Sequence, residues 1–304
     1  MEKFITTFNQ MCFLFLCILI GYFLKKKNLL PEDAATVISK LENYLIMPAL
    51  LIDSFSANCT IASLSANMKL LLFGIFFVLL QAVLAYFSLP IYHPKDNEKG
   101  VFLYSMAVVN FGFMGNSLVL AIFGSEMLYK YLIFSLPLNV LTCSIGYTWL
   151  SGGGKFSPKR LINPVMISML IGILIGISGV SLPSFISKTI SGFSSCFSPL
   201  AMLLTGIVIG GYDLKKLISD KRVYLLTMIR CLLLPLVLLS LSRLLGLDQQ
   251  TLTCLIFICA MPLGLNTIVI PAAYGEDTTL GASMAVISNI LGLLSVPLFL
   301  MLFA

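Results

Sequence analysis

Two stretches of this sequence put amides, glycines and a proline inside runs that are otherwise apolar. They are Val109-Asn110-Phe111-Gly112-Phe113-Met114-Gly115-Asn116-Ser117 and Met261-Pro262-Leu263-Gly264-Leu265-Asn266-Thr267. Glycine weakens a helix by about 1 kcal/mol relative to alanine, proline removes a backbone donor, and an amide in hydrocarbon needs a partner. A helix interrupted there exposes unpaired N–H groups and the positive end of a half-helix dipole, an arrangement suited to anions. Asn110, Asn116 and Asn266 can donate to a carboxylate while staying neutral, so the chemistry on offer is reversible anion binding. Gly112, Gly115, Pro262 and Gly264 would hold the backbone open, with Thr267 beside them. The alternative is that these residues only kink helices and let them pack closely.

Other polar positions lie in apolar surroundings. Asn139 and Asn289, with Ser288 and Tyr104, are expected to line a cavity behind the breaks. An arginine at membrane depth is expensive, so Arg230 would either attract the anion, pair with an acid or snorkel to the interface. Glu42 is expected to pair locally or face water, and Asp53 to lie near the interface.

These residues have to be positioned by helices that cross a bilayer. The chain is 59% hydrophobic and 11% charged, with a mean hydropathy of +1.01, whereas soluble domains carry about 25% charged residues. With about 20 apolar residues per crossing, spans are expected near 4–24, 34–56, 67–91, 100–123, 127–150, 162–181, 186–210, 222–246, 250–274 and 279–303. The first run ends in Lys25-Lys26-Lys27 without a cleavage-site pattern and reads as a retained span rather than a signal peptide. The fold class is therefore all-α integral membrane with ten transmembrane helices.

Punctuating residues recur at one spacing. Gly21 and Gly172, Pro48 and Pro199, Gly124 and Gly275, and Glu126 and Asp277 are each 151 apart, and Pro31 and Pro183 are 152 apart. The sequence thus divides into a first five-helix repeat (1–151), a linker (152–160) and a second repeat (161–304). An odd number of spans per copy inverts the second, giving a 5+5 inverted repeat, a plan characteristic of secondary transporters. At this offset the two interrupted stretches fall at equivalent depth.

Charge sets the orientation. Loops after spans one, three, five and seven hold twelve Lys and Arg residues and the opposite side four. By the positive-inside rule both termini are extracellular or periplasmic, and the Ser151–Lys159 linker is cytoplasmic. The formal net charge of +6 sits in these short loops, which argues against nucleic acid as a partner; the lipid bilayer is the partner that composition implies. Eight cysteines without C-x-x-C spacing and a lone histidine, His93, give no metal site, and no cofactor is expected. H-E-x-x-H, G-x-S-x-G and G-x-x-x-x-G-K-[ST] are all missing, so an enzyme or an ATP-driven pump is not expected.

The residues resemble the auxin efflux carrier family in its bacterial form. The resemblance runs through Leu29-Leu30-Pro31-Glu32, Met47-Pro48-Ala49-Leu50-Leu51, Asn110-Phe111-Gly112-Phe113-Met114-Gly115, Phe123-Gly124 and Asn163-Pro164. It continues in Pro199-Leu200-Ala201, Ala260-Met261-Pro262 with Asn266, and Tyr274-Gly275. It implies a sodium–proton antiporter-like fold, with spans one, two, six and seven as a scaffold. Spans three to five and eight to ten would form a transport domain in which the broken fourth and ninth helices cross. It also implies elevator-like transport of small carboxylates such as malonate, malate or auxin-like acids. A sodium-coupled carrier of the bile-acid type and a non-transporting sensor are the alternatives. A homodimer and a monomer both stay open.

Overall fold

The computed structural model describes residues 2–152 and 158–303. Among these, every regular element is helical and none is a strand. The principal helices, in chain order, begin with α1 (Glu2–Lys26), α2 (Ala34–Asn58), α3 (Met68–Ser88), α4 (Lys99–Ala107) and α5 (Asn116–Leu141). Then come α6 (Pro164–Ser178), α7 (Ser184–Gly210), α8 (Lys221–Leu244), α9 (Gln249–Cys259), α10 (Asn266–Ala272) and α11 (Thr279–Phe303). Among the described residues, seven stretches are long and apolar enough to cross a membrane, and α6 and α9 are shorter apolar helices. The chain is embedded in the membrane with several passes.

One of the seven stretches, Lys99–Leu150, runs for 52 residues. Straight, it would measure about 78 Å, more than twice the ~30 Å hydrocarbon thickness. It doubles back instead. Gly100 in α4 lies so close to the Trp149 carbonyl that a Cβ would have no room, so the two ends are side by side. The reversal sits at Gly124 inside α5, with φ 80° and ψ −177°, a combination essentially confined to glycine.

Left-handed backbone recurs at a regular spacing. Among the described residues, positive φ occurs at Asn28, His93, Gly124, Gly152, Gly179, Gly246 and Gly275. Asn28 and Gly179 are 151 apart, His93 and Gly246 are 153 apart, and Gly124 and Gly275 are 151 apart. The seventh, Gly152, lies at the centre of the chain.

Two small-residue motifs, which the sequence reading passed over, set the closest helix contacts. Gly206 and Gly210, one turn apart on α7, meet the backbone of α1 at Ile18 and Tyr22. Gly172 and Gly176 on α6 meet α2 at Leu51, Ile52, Phe55 and Cys59. Without a hydrophobic force between helices in lipid, such backbone-to-backbone approach is what dispersion can use. α1 thus seats on α7, and α2 on α6.

Some expected boundaries move for local reasons. The span expected over 162–181 is only Pro164–Ser178. Asn163 caps its start, its Oδ1 accepting from Met166 N at 3.1 Å, and Gly179 at φ 65° ends it. Of the expected Ser151–Lys159 linker, residues 153–157 lie outside the described residues. Pro158–Leu161 forms a 3-10 turn.

These contacts yield a paired test. Gly206→Ala forces a Cβ onto the Ile18 carbonyl and should lower stability by about 1–3 kcal/mol, the usual cost of overpacking. Gly192→Ala meets nothing within 4 Å and should be neutral or slightly stabilising. Thermal unfolding in detergent, followed by size exclusion, reads both.

Candidate functional site

The first interruption begins where α4 stops. Val108 is extended, with φ −129° and ψ 131°, and the helix resumes as a π turn over Phe111–Gly115 that continues into α5. Asn110 sits between, at φ −76° and ψ 55°, with its Oδ1 accepting from Met114 N at 3.3 Å. The second interruption separates α9 from α10, with residues 262–264 in no regular structure.

The interruptions touch. Asn110 N donates to the Pro262 carbonyl at 2.7 Å, and a Cβ on Gly264 would lie 3.4 Å from Asn110 Cα. Backbone groups freed by the breaks cannot turn to lipid and need partners inside the protein. Ser288 Oγ accepts from Leu263 N at 2.9 Å. Tyr131 Oη donates to the Phe111 carbonyl at 2.9 Å. Arg230 donates from Nη1 to Cys259 O at 2.6 Å and from Nη2 to Ile258 O at 3.2 Å.

A cavity of about 540 Å³ opens beside this junction, within the usual range for small-molecule sites. Asn110, Gly112, Asn139, Gly264 and Asn266 line it, with Tyr104 and Asn163. Asn266 Nδ2 donates to Tyr104 Oη at 2.6 Å. The N–H groups of Gly112, Phe113, Gly264 and Leu265, all cavity residues, have no protein acceptor among the described residues. No protein partner is seen for Asn110 Nδ2 among the described residues either. Residues with unpaired donors from both interruptions therefore line one space.

The cavity reaches toward one end of the molecule. It includes Ser39, Asn43 and Tyr44 from the first half of α2, and Arg160, Ile162 and Asn163 next to the central linker. A second depression of about 560 Å³ lies at the other end of α2, among Asn58, Asn67, Lys69, Glu126 and Lys130.

Several residues expected at the site lie elsewhere. Gly115 is pressed against Tyr131 Oη and leaves no room for a Cβ. Asn116, Thr267 and Asn289 are buried on helices and Pro262 is buried within the break, and none of the four lines the cavity. Thr267 Oγ1 donates to Gly264 O at 3.1 Å, and Pro262 supplies the carbonyl that joins the breaks. Arg230 is 0% exposed, so it does not snorkel, and it is not a cavity residue: it holds the carbonyl end of α9. Glu42 neither pairs locally nor faces water. It is 0% exposed, and both carboxyl oxygens lack a partner among the described residues.

Arg160 was expected only as a cytoplasmic loop charge, yet it lines the cavity. Its Cζ sits 4.0 Å from the centre of the Tyr147 ring. Nothing within its own loop signals this, because Tyr147 and Tyr274 reach it from other parts of the chain.

Removing the arginine that holds α9 should be costly. Arg230→Met leaves two buried carbonyls unpaired, and hydrogen bonds to charged groups contribute about 1.5–3 kcal/mol each. A marked fall in unfolding temperature is the expected outcome, with Arg230→Lys falling less; circular dichroism melts in detergent would check it.

Comparison with known proteins gives the family. A family described as "Membrane transport protein" matches residues 6–155 and 148–300. An uncharacterized transporter of Methanocaldococcus jannaschii is 26% identical over 291 residues, covering 93% of this chain and 94% of that protein. One from Methanothermobacter thermautotrophicus is 25% identical, with 93% of both chains covered. The uncharacterized transporter YfdV of Escherichia coli is 21% identical, again over 93% of each. With nearly the whole length matched, the chain belongs to the membrane transport protein family, the auxin efflux carrier family, and is a membrane transporter.

Proposed function

We propose that this protein is a secondary carrier of small organic anions, of the carboxylate class, and that the junction of the two interruptions is its substrate site. The observation that carries the reading is the convergence of unpaired N–H groups and neutral amides from both breaks on one cavity. Neutral donors bind a carboxylate without trapping it, and a carrier must also release. Among the described residues the sole charged group lining the cavity is cationic, Arg160, which favours an anion over a sodium ion as the bound species.

The architecture we infer is ten crossings in two inverted five-helix repeats. Its support is the spacing of 151 to 153 residues between left-handed positions and the seating of α1 on α7 and α2 on α6. α1, α2, α6 and α7 would then be the scaffold. The interruptions would move with the remaining helices in an elevator-type step. With the central linker on the cytoplasmic side, the cavity would open inward and both termini would lie outside. No chemical step is assigned to any residue; the chain would act as a carrier, not an enzyme.

Uptake of radiolabelled malonate and malate into proteoliposomes tests the reading. Flux should saturate, and Asn110→Ala and Asn266→Ala should each reduce it by about tenfold or more, the loss of one or two hydrogen bonds to a charged ligand. Normal flux in both variants would overturn the site assignment. Replacing Na⁺ by choline should leave flux unchanged; dependence on Na⁺ would favour a sodium-coupled carrier.

A further inference from the structure

Arg160 is the one charged residue lining the cavity among the described residues, and its placement is built rather than incidental. Its guanidinium lies over Tyr147, 4.0 Å from the ring centre, a cation–π arrangement. Its Nη2 donates to Tyr274 Oη at 3.4 Å, and Tyr274 Oη in turn donates to Tyr147 Oη at 3.3 Å. Three chain segments therefore converge on it: the end of the first half, the 3-10 turn before α6, and the turn after α10.

Two further facts separate it from an ordinary surface arginine. None of the five ion pairs among the described residues includes Arg160. Its Nη1 is buried and has no hydrogen-bond partner there. A buried donor left unpaired on a charged group is costly, so the position calls for an acceptor that comes and goes. The guanidinium fork matches a carboxylate in shape as well as charge.

We propose that Arg160 is the charge-selecting residue of the cavity. Stacked on Tyr147 and tethered to Tyr274, it offers Nη1 to a carboxylate oxygen of the entering anion, ahead of the neutral donors at the interruptions. The assignment rests on the carboxylate-carrier reading of the same cavity. The two tyrosines act through the arginine and are positioning residues. Because Arg160 is partly exposed near the cavity end, its pull on the anion should weaken as salt screens it.

The test is malonate uptake in proteoliposomes by the wild-type chain, Arg160→Gln and Arg160→Lys, at low and high ionic strength. Arg160→Gln should raise the half-saturating malonate concentration about tenfold, with the maximal rate within about twofold, and should abolish the salt dependence of half-saturation. Arg160→Lys should recover only part of the loss, since a point charge neither forks nor stacks as a guanidinium does. Tyr147→Leu should shift half-saturation in the same direction by a smaller factor. If wild type moves no labelled carboxylate, the carrier reading itself fails. If wild type does and Arg160→Gln keeps its half-saturation and salt dependence, the arginine assignment alone is overturned. Should Arg160→Gln not reconstitute, Arg160→Lys decides: raised half-saturation supports the assignment, and an unchanged value overturns it.

Discussion

A single backbone hydrogen bond, Asn110 N to the carbonyl of Pro262 at 2.7 Å, is the constraint around which the site is arranged. Inside a bilayer an open N–H or C=O cannot turn to lipid, so the two broken helices rely on each other, on a ring of side chains and on the cavity they line. Tyr131, Ser288 and Arg230 complete that service from α5, α11 and α8. Each comes from a different helix, so the junction ties these helices together. Loosening it would disturb stability and binding at once.

The packing further out obeys a different rule. Gly206 and Gly210 against α1, and Gly172 and Gly176 against α2, bring backbones into direct contact. Contacts this close tolerate little sliding, because ridges of main chain cannot adapt as long side chains can. The molecule thus sets two close-packed helix pairs beside a polar junction of a different construction.

Much of this could be read from residue order alone. The amide and glycine pattern at Asn110–Gly115 and Pro262–Asn266 located both interruptions because so few residue types are compatible with an open helix. Apolar length located the membrane stretches for the same reason. What escaped was whatever depended on distant partners. Asn116 and Asn289 carry the same amide as Asn110, yet they lie on helices away from the cavity while Asn110 sits in the break that lines it, and residue type alone does not separate the cases. Arg230 looked like an anion ligand or a snorkelling residue, but its partners, Ile258 and Cys259, offer main-chain carbonyls that no residue type announces. Arg160 looked like a loop charge because Tyr274 lies 114 residues away in the chain.

The grip of Arg230 on the last carbonyls of α9 also has an electrostatic consequence beyond holding the chain. The C-terminal end of a helix carries roughly half a negative charge, and α9 ends at Cys259, five residues before Gly264 and six before Leu265, whose N–H groups lack acceptors among the described residues. Left bare, it would repel an anion from one side while those donors drew it from the other. With the guanidinium 2.6 Å from Cys259 O, that negative pole is offset at its source. A buried positive charge thus offsets the carbonyl pole of α9 without itself lining the cavity.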